Sequence, residues 1–251
     1  MISVKGLTKK YSELTALDGI SFDIPAGEIC GYIGTNGAGK STTVKILTGV
    51  LDYDSGSAEV CGIDVRKDPV AVKRIVGYVP ETPNLFNSLS PREFISFLGR
   101  ARSLDEVAVK RRLTNFSELF GFTEMLDLSI GSLSKGNKQK VLITSALIHN
   151  PEVIFLDEPL NGLDANSIFV FQDLVSHLVS LGKTILYCSH LLNTVEKVSS
   201  KIILLDKGNV VMDIRTSELK DLDNFTDLEG LFRNLREESE SGTVSYENLF
   251  G

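Results

Sequence analysis

Apolar residues along this chain change their spacing several times, and the changes mark out its elements. Short β-like runs come first, around Val4 to Leu7, around Ile20 to Ile24 and from Ile29 to Ile33, with turn residues such as Asp18-Gly19 and Pro25-Ala26-Gly27 between them. They predict a small antiparallel sheet feeding a strand that stops at Gly34. From Lys40 the spacing becomes helical, with Val44 and Leu47 on one face. Asp52 to Ser57 is a turn, Ala58 to Cys61 and Ile75 to Val79 are further strands, and Pro80-Glu81-Thr82-Pro83 breaks the pattern. From Pro91 to about Leu128 the apolar residues (Phe94, Phe97, Leu98, Val107, Leu113, Phe116, Leu119, Phe120) recur at helical intervals, which predicts a helical insert and not more sheet. A helix follows Leu133-Ser134-Lys135-Gly136-Asn137 to about His149. The run Val153-Ile154-Phe155-Leu156 is continuous, as expected of a parallel strand buried on both faces. A helix from Ala165 to Leu181 leads to a second such strand, Thr184 to Cys188. Asp206-Lys207-Gly208-Asn209 is a hairpin turn between Ile202 to Leu205 and Val210 to Met212. Beyond Thr216, Leu219, Leu222, Phe225, Leu228, Leu231, Phe232 and Leu235 predict a helix, and the Glu- and Ser-rich stretch from Glu237 a disordered tail. Strands and helices in this alternation form an α/β fold.

Composition narrows the classes. With 251 residues, 42% hydrophobic and 24% charged, the chain has an ordinary globular make-up with enough apolar residues for a sizeable core. A net charge of −7 and a pI near 5.1 argue against a nucleic-acid surface, so no nucleic-acid partner is expected. No run of 18 apolar, uncharged residues occurs, and the first residues lack a basic-then-apolar leader, which predicts a cytoplasmic protein. Cys30, Cys61 and Cys188 are widely spaced in apolar runs, as reduced core thiols would be. The basic residues Arg100, Arg102, Lys110, Arg111 and Arg112 are expected to form a solvated helix face.

The candidate chemistry lies where strands end. Gly34, Gly39, Lys40 and Ser41 fit G-x-x-x-x-G-K-[ST] between an apolar run and a helix, the context in which such a loop wraps its backbone N–H groups around phosphates. The helix start adds a positive dipole end, Lys40 a full charge for the outer phosphates, and Ser41 a hydroxyl for Mg²⁺. A nucleoside triphosphate site follows. Asp157 and Glu158 end a buried strand, a costly place for two carboxylates unless a cation or catalysis holds them there. Asp157 reaching Mg²⁺ through water and Glu158 polarising water are the assignments their charges suggest. Three further residues stand out. Tyr11, in the loop after the first strand, either packs or stacks on a base. Ser134 reads first as a helix N-cap, and His190 either has a structural role or serves the site at its strand's end.

Taken together, these stretches resemble the ATP-binding cassette (ABC) family over about residues 2 to 236. The motifs stand in the family's order. They are the Tyr11 aromatic loop, the Walker A loop Gly34, Thr35, Asn36, Gly37, Ala38, Gly39, Lys40, Ser41 and Thr42, the Q-loop position Glu81, the signature Leu133 to Asn137, the Walker B end Asp157 and Glu158, the D-loop ending in Asp164, and the switch histidine His190. The resemblance implies a P-loop NTPase (RecA-like) core with an antiparallel β subdomain and an inserted α-helical subdomain, about residues 84 to 135, in a single domain spanning 1 to 236. It implies an ATPase with ATP and Mg²⁺ as cofactors, Ser41, Asp157 and Glu81 near the metal, and Glu158, His190 and Lys40 as the catalytic set. Tyr11 would stack on adenine and His190 sense the γ-phosphate.

The same resemblance implies a head-to-tail dimer with a second ATP-binding subunit, in which Ser134, Gly136 and Asp164 complete the partner's site. It also implies a transmembrane permease subunit as partner, with this chain cytoplasmic and peripheral on the cytoplasmic face of the membrane. Three positions, Glu81, Lys135 and Asn137, depart from the family. Glu81 stands where glutamine is commoner, and LSKGN replaces LSGGQ, a combination similar to export ATPases of the multidrug and lantibiotic-immunity type. A soluble ABC ATPase of DNA repair or translation is the alternative, disfavoured because those relatives carry coiled-coil or zinc insertions or paired cassettes. A P-loop kinase or GTPase needs neither the signature helix nor the Asp157-Glu158 pair.

Overall fold

The computed structural model describes residues 1–190, 192–221 and 227–230. The chain runs β1 (Ile2–Tyr11), β2 (Leu14–Ile24), β3 (Ile29–Gly34), α1 (Lys40–Leu47), β4 (Ser55–Val60), β5 (Ile63–Asp64), α2 (Pro69–Ile75) and β6 (Val76–Val79). It continues with α3 (Pro91–Ala101), α4 (Glu106–Phe120), α5 (Lys135–Leu147), β7 (Val153–Asp157), α6 (Ala165–Ser180), β8 (Thr184–Cys188), α7 (Leu192–Val198), β9 (Lys201–Asp206) and β10 (Asn209–Arg215). Of the helix expected after Thr216, Leu219–Asp221 form a 3-10 turn and Leu228 is fully buried. The rest of it and the stretch from Glu237 lie outside the described residues.

Two sheets organise these elements. One has six strands in the order β10-β9-β3-β8-β7-β6, parallel except for the β9–β10 hairpin. Its inner strands β3, β7 and β8 are buried at every position, which explains their continuous apolar sequence. The other is antiparallel in the order β2-β1-β4-β5. The apolar run ending at Gly34 therefore lies in the parallel sheet, while the hairpin before it pairs with β4. Two local expectations need correction. Tyr11 is the last residue of β1, opposite Leu14, and not a loop residue. Cys61 lies past the end of β4 with φ of 54°, because the chain turns there towards β5.

The helices start where the side chains cap them. Ser90 accepts from the Glu93 N–H and Glu93 returns to the Ser90 N–H, with Pro91 supplying a preset first turn. Asp68, Asp105, Ser134 and Asp164 cap α2, α4, α5 and α6, each side chain accepting one first-turn backbone N–H. Helix α4 ends on Gly121, whose φ of 67° is the left-handed turn that glycine adopts without strain. The basic residues of α3 and α4 are not all a solvated face. Arg102 donates to the Lys73 carbonyl, and Arg112 donates to the Ile148 carbonyl at the end of α5, where a cation meets the negative helix end. Among the described residues no helix is long and apolar enough to cross a membrane.

Candidate active site

Strands β3, β8 and β7 lie side by side and parallel, so their C-terminal ends open on one edge of the sheet, the edge where open α/β sheets bind ligands. From β3 the chain enters a loop that closes on its own lysine. The Lys40 ammonium, 8% exposed, donates to the carbonyls of Gly34 at 2.7 Å and Thr35 at 3.0 Å. Ala38 N–H donates to the Thr35 carbonyl, and Asn36 and Gly37 form the exposed crest. Two glycines are required by contact. A Cβ on Gly34 would come within 2.3 Å of the Leu205 carbonyl, and one on Gly39, at φ 110°, within 2.6 Å of the Ala16 carbonyl. The β9–β10 turn backs the loop, since Gly208 N–H donates to the Ala38 carbonyl and Gly208 accepts from Asp18 N–H. Ser41 and Thr42 stand in the first turn of α1 beside this cradle, half-buried.

Asp157 ends β7, fully buried, in register with Cys188. Burial raises its pKa, and the neighbouring charges of Glu81 and Glu158 add to that, while a hydrogen bond from Ser41 and the charge of Lys40 oppose it. A buried carboxylate that holds a helix-start hydroxyl among acidic neighbours is short of positive charge. That donor set fits Mg²⁺ carried by a nucleotide, which takes one or two protein ligands and finds the rest on phosphates and water. Among the described residues no group of three His, Cys, Asp or Glu could hold a metal by itself, so the fit is to a metal that arrives with phosphates. Glu81 is exposed and acts on Asp157 through its charge.

Glu158 follows in left-handed backbone, φ 50°, a conformation that costs a non-glycine residue free energy and gathers at functional sites. Its oxygens are held from the end of β8. Oε1 accepts the His190 backbone N–H at 2.9 Å, and Oε2 lies 3.2 Å from the Ser189 hydroxyl and 2.8 Å from His190 Nδ1. The acceptor carboxylate puts the proton on Nδ1, while the His190 side chain is 59% exposed.

Ser134, Gly136 and Asp164 gather at a second place. Ser134 caps α5, accepting the Asn137 N–H at 3.2 Å. Asp164 accepts the Ser167 N–H at 2.9 Å and its hydroxyl at 2.7 Å, contacts that pull its pKa down to about 2. A Cβ on Gly136 would lie 2.6 Å from the Gly162 carbonyl, and the Lys135 stem covers Gly162. Among the described residues no hydrogen bond or ion pair joins these three to the Lys40 loop. Two residues that the sequence did not single out tie this place together. Gln139 donates to the Pro159 carbonyl at 2.8 Å, and Lys140 reaches Asp164 at 3.4 Å. Helical spacing from Leu133 through Lys140 to Leu147 was the available signal, since a lysine on an apolar face calls for a paired carboxylate. Tyr11 stands 44% exposed at the end of β1.

The family model described as ABC transporter matches residues 17–161. The chain is 31% identical over 238 residues to the ABC transporter ATP-binding protein NatA of Bacillus subtilis, covering 92% of this chain and 96% of the relative. It is 34% identical over 211 residues to the linearmycin resistance ATP-binding protein LnrL of the same organism, covering 84% and 68%. A solved structure described as the ATP binding subunit of an ABC transporter superposes with a TM-score of 0.88 at 30% identity, over 94% of this chain and 99% of the other.

Proposed function

The chain belongs to the ABC transporter family as an ATP-binding ATPase subunit, and from that premise we propose that it powers export through a separate transmembrane subunit. The observation that carries the reading is the meeting of Lys40, Ser41, Asp157, Glu158 and His190 at the adjoining ends of β3, β7 and β8. In this proposal the loop from Gly34 to Thr42 wraps the phosphates of ATP, Tyr11 takes the adenine, and Lys40 leaves its own loop carbonyls for the β- and γ-oxygens. Ser41 and Asp157 would hold Mg²⁺, with Glu81 adding negative charge beside it; the metal would neutralise phosphate charge. Glu158 orients and deprotonates the attacking water, and His190, anchored on Glu158, faces the γ-phosphate. Ser134, Gly136 and Asp164 serve the site of a second ATP-binding subunit.

LnrL is a linearmycin resistance protein, and a similarity of that kind favours export over import. The transmembrane partner is expected at Phe86. Its ring is 56% exposed and meets Phe94 and Phe97 at centroid distances of 6.0 and 6.2 Å, an aromatic group at the surface of the helical segment. Leu85, its neighbour in sequence, is instead half-buried against the core. Such docking would hold the chain on the cytoplasmic face of the membrane.

The test has two arms. Lys40→Ala should abolish ATP hydrolysis by the purified subunit, and unchanged turnover would remove the phosphate-loop assignment. Phe86→Asp should leave that basal hydrolysis intact and abolish ATP-dependent transport by proteoliposomes containing the membrane subunit. Transport at the wild-type rate would place the docking surface elsewhere.

A further inference from the structure

We propose that Lys9 is a positioning residue for the nucleotide base, holding the Tyr11 ring from behind so that its opposite face receives the adenine. The proposal rests on the reading of Tyr11 as the base platform. Three observations carry it. The Lys9 ammonium lies 5.5 Å from the Tyr11 ring centroid, within the range in which a cation is attracted to an aromatic face. The Lys9 side chain is only 15% exposed, an uncommon state for a lysine without a task. The same ammonium lies 3.9 Å from Asp54 Oδ1, between a carboxylate and the ring.

Asp54 is itself fixed to β1. Its Oδ2 accepts the Lys10 backbone N–H at 2.5 Å, and its own N–H donates to the Thr8 carbonyl at 2.9 Å. The order carboxylate, ammonium, ring is thus built on the backbone of one strand. It stands beside the phosphate loop, because Lys9 pairs with Leu17 on β2, and a Cβ on Gly39 would meet a Leu17 methyl at 2.6 Å. An exposed tyrosine at a strand end samples several rotamers, and stacking on it must first order the ring. A cation on one face removes that freedom before the base arrives and leaves a single face for it. The ion pair alone supplies no such effect, since at 3.9 Å near the surface it contributes little.

Equilibrium binding of ADP and of pyrophosphate, each with Mg²⁺, to the full chain tests this, because only ADP carries a base and neither is turned over. Lys9→Met should weaken ADP binding about two- to tenfold and leave pyrophosphate binding unchanged. Lys9→Arg, whose guanidinium also lies on aromatic faces, should bind ADP like the wild type. In a Tyr11→Ala background Lys9→Met should cost nothing further. Equal losses for both ligands would mean that Lys9 acts on phosphate or on folding, and an undiminished loss without Tyr11 would mean that it acts without the ring. Either result overturns the proposal, as does wild-type ADP binding by Lys9→Met. If Tyr11→Ala alone binds ADP normally, the base platform itself is wrong, and that arm separates its failure from the failure of Lys9.

Discussion

The Glu158 carboxylate holds His190 at two points, the backbone N–H at 2.9 Å from Oε1 and ring Nδ1 at 2.8 Å from Oε2. A residue proposed as the general base is therefore also the anchor of the residue proposed to face the γ-phosphate. The two work as a unit, and groups that do so lose activity non-additively. Glu158→Gln and His190→Ala should each lower kcat by a large factor, about 100-fold or more by the usual yield of acid–base catalysis. The double variant should be little worse than either one. Single-turnover hydrolysis measures this directly, and losses that multiply would show that the two residues act independently.

Asp157 predicts a trade between stability and function. Burial, its largest influence, raises its pKa, so the folded state binds more protons than the unfolded state between the ordinary carboxylate range and the raised value. Stability falls as pH rises through that window, and the penalty is complete above it. Asp157→Asn removes the penalty and keeps an acceptor for Ser41. At neutral pH without Mg²⁺ or nucleotide it should therefore melt at a higher temperature than the wild type. Below about pH 4, where the wild-type carboxyl is protonated in both states, the gain should vanish. Hydrolysis should be lost at every pH. An apo Asp157→Asn protein that melts below the wild type at pH 7.5 would contradict the account.

His149 points the other way. Its ring lies against the Val76 carbonyl, with Nε2 at 2.9 Å, and Nδ1 is buried without a partner. Burial, with Arg102, Arg112 and Lys183 nearby, lowers its pKa to about 4. Between that value and the unfolded value near 6.5 only the unfolded chain holds the proton, so stability rises with pH across this window and falls as acid is added. The slope from one group is at most about 1.4 kcal/mol per pH unit. His149→Gln, which keeps a donor for Val76, should flatten the urea-unfolding profile between pH 4.5 and 6.5. An unchanged slope there would assign acid lability to other groups.

What the sequence makes legible follows the range of each interaction. Lys40 and Ser41 sit inside a local pattern whose strand, loop and helix are contiguous, and Asp157 ends an apolar run that can only be a buried strand. That β8 would lie between β3 and β7, bringing His190 onto Glu158, is a matter of strand order, which periodicity does not encode. Lys140 and Asp164 are 24 positions apart by their numbering and meet only because α5 packs on the loop after β7. Tyr11 looks like a loop residue because Ser12 and Glu13 follow it; its pairing with Leu14 depends on hairpin register. The capping of backbone carbonyls by Arg102 and Arg112 was hidden for the same reason, because partners 29 and 36 residues away leave no trace in local charge spacing.

Gly136 faces Gly162 too closely for any side chain, since an added Cβ would stand only 2.6 Å from the Gly162 carbonyl oxygen. Gly136→Ala must push the start of α5 away from the loop that carries Asp164, and backbone cannot yield as a flexible side chain would. In the proposed site ATP binding to the isolated subunit falls to the Lys40 loop and should be unchanged, while hydrolysis should fall at least tenfold because the signature would no longer fit a partner's site. Equilibrium ATP binding and steady-state turnover on the same preparation distinguish the two. A parallel loss of binding would show that the glycine serves the subunit's own site.

The dimer itself is open to a direct test. In the proposed dimer ATP is sandwiched between two subunits, held by Lys40 and Ser41 of one, closed over by the partner's Ser134 and Gly136, and hydrolysed with Glu158 as base. Removing only the base should leave binding and closure intact and stop the reaction, so Glu158→Gln should accumulate an ATP-bound dimer. The substitution is gentle, since a glutamine Oε1 still accepts the His190 N–H that now binds at 2.9 Å. Adding Ser134→Arg should dissolve that dimer, because a bulky cation replaces the small hydroxyl that caps α5 and leaves no room for the opposing γ-phosphate. Light scattering with ATP and Mg²⁺ reads both variants. A Glu158→Gln protein that remains monomeric at high concentration would count against the sandwich of identical chains. The same measurement on the complex with its membrane subunit then decides whether a different second chain closes the site.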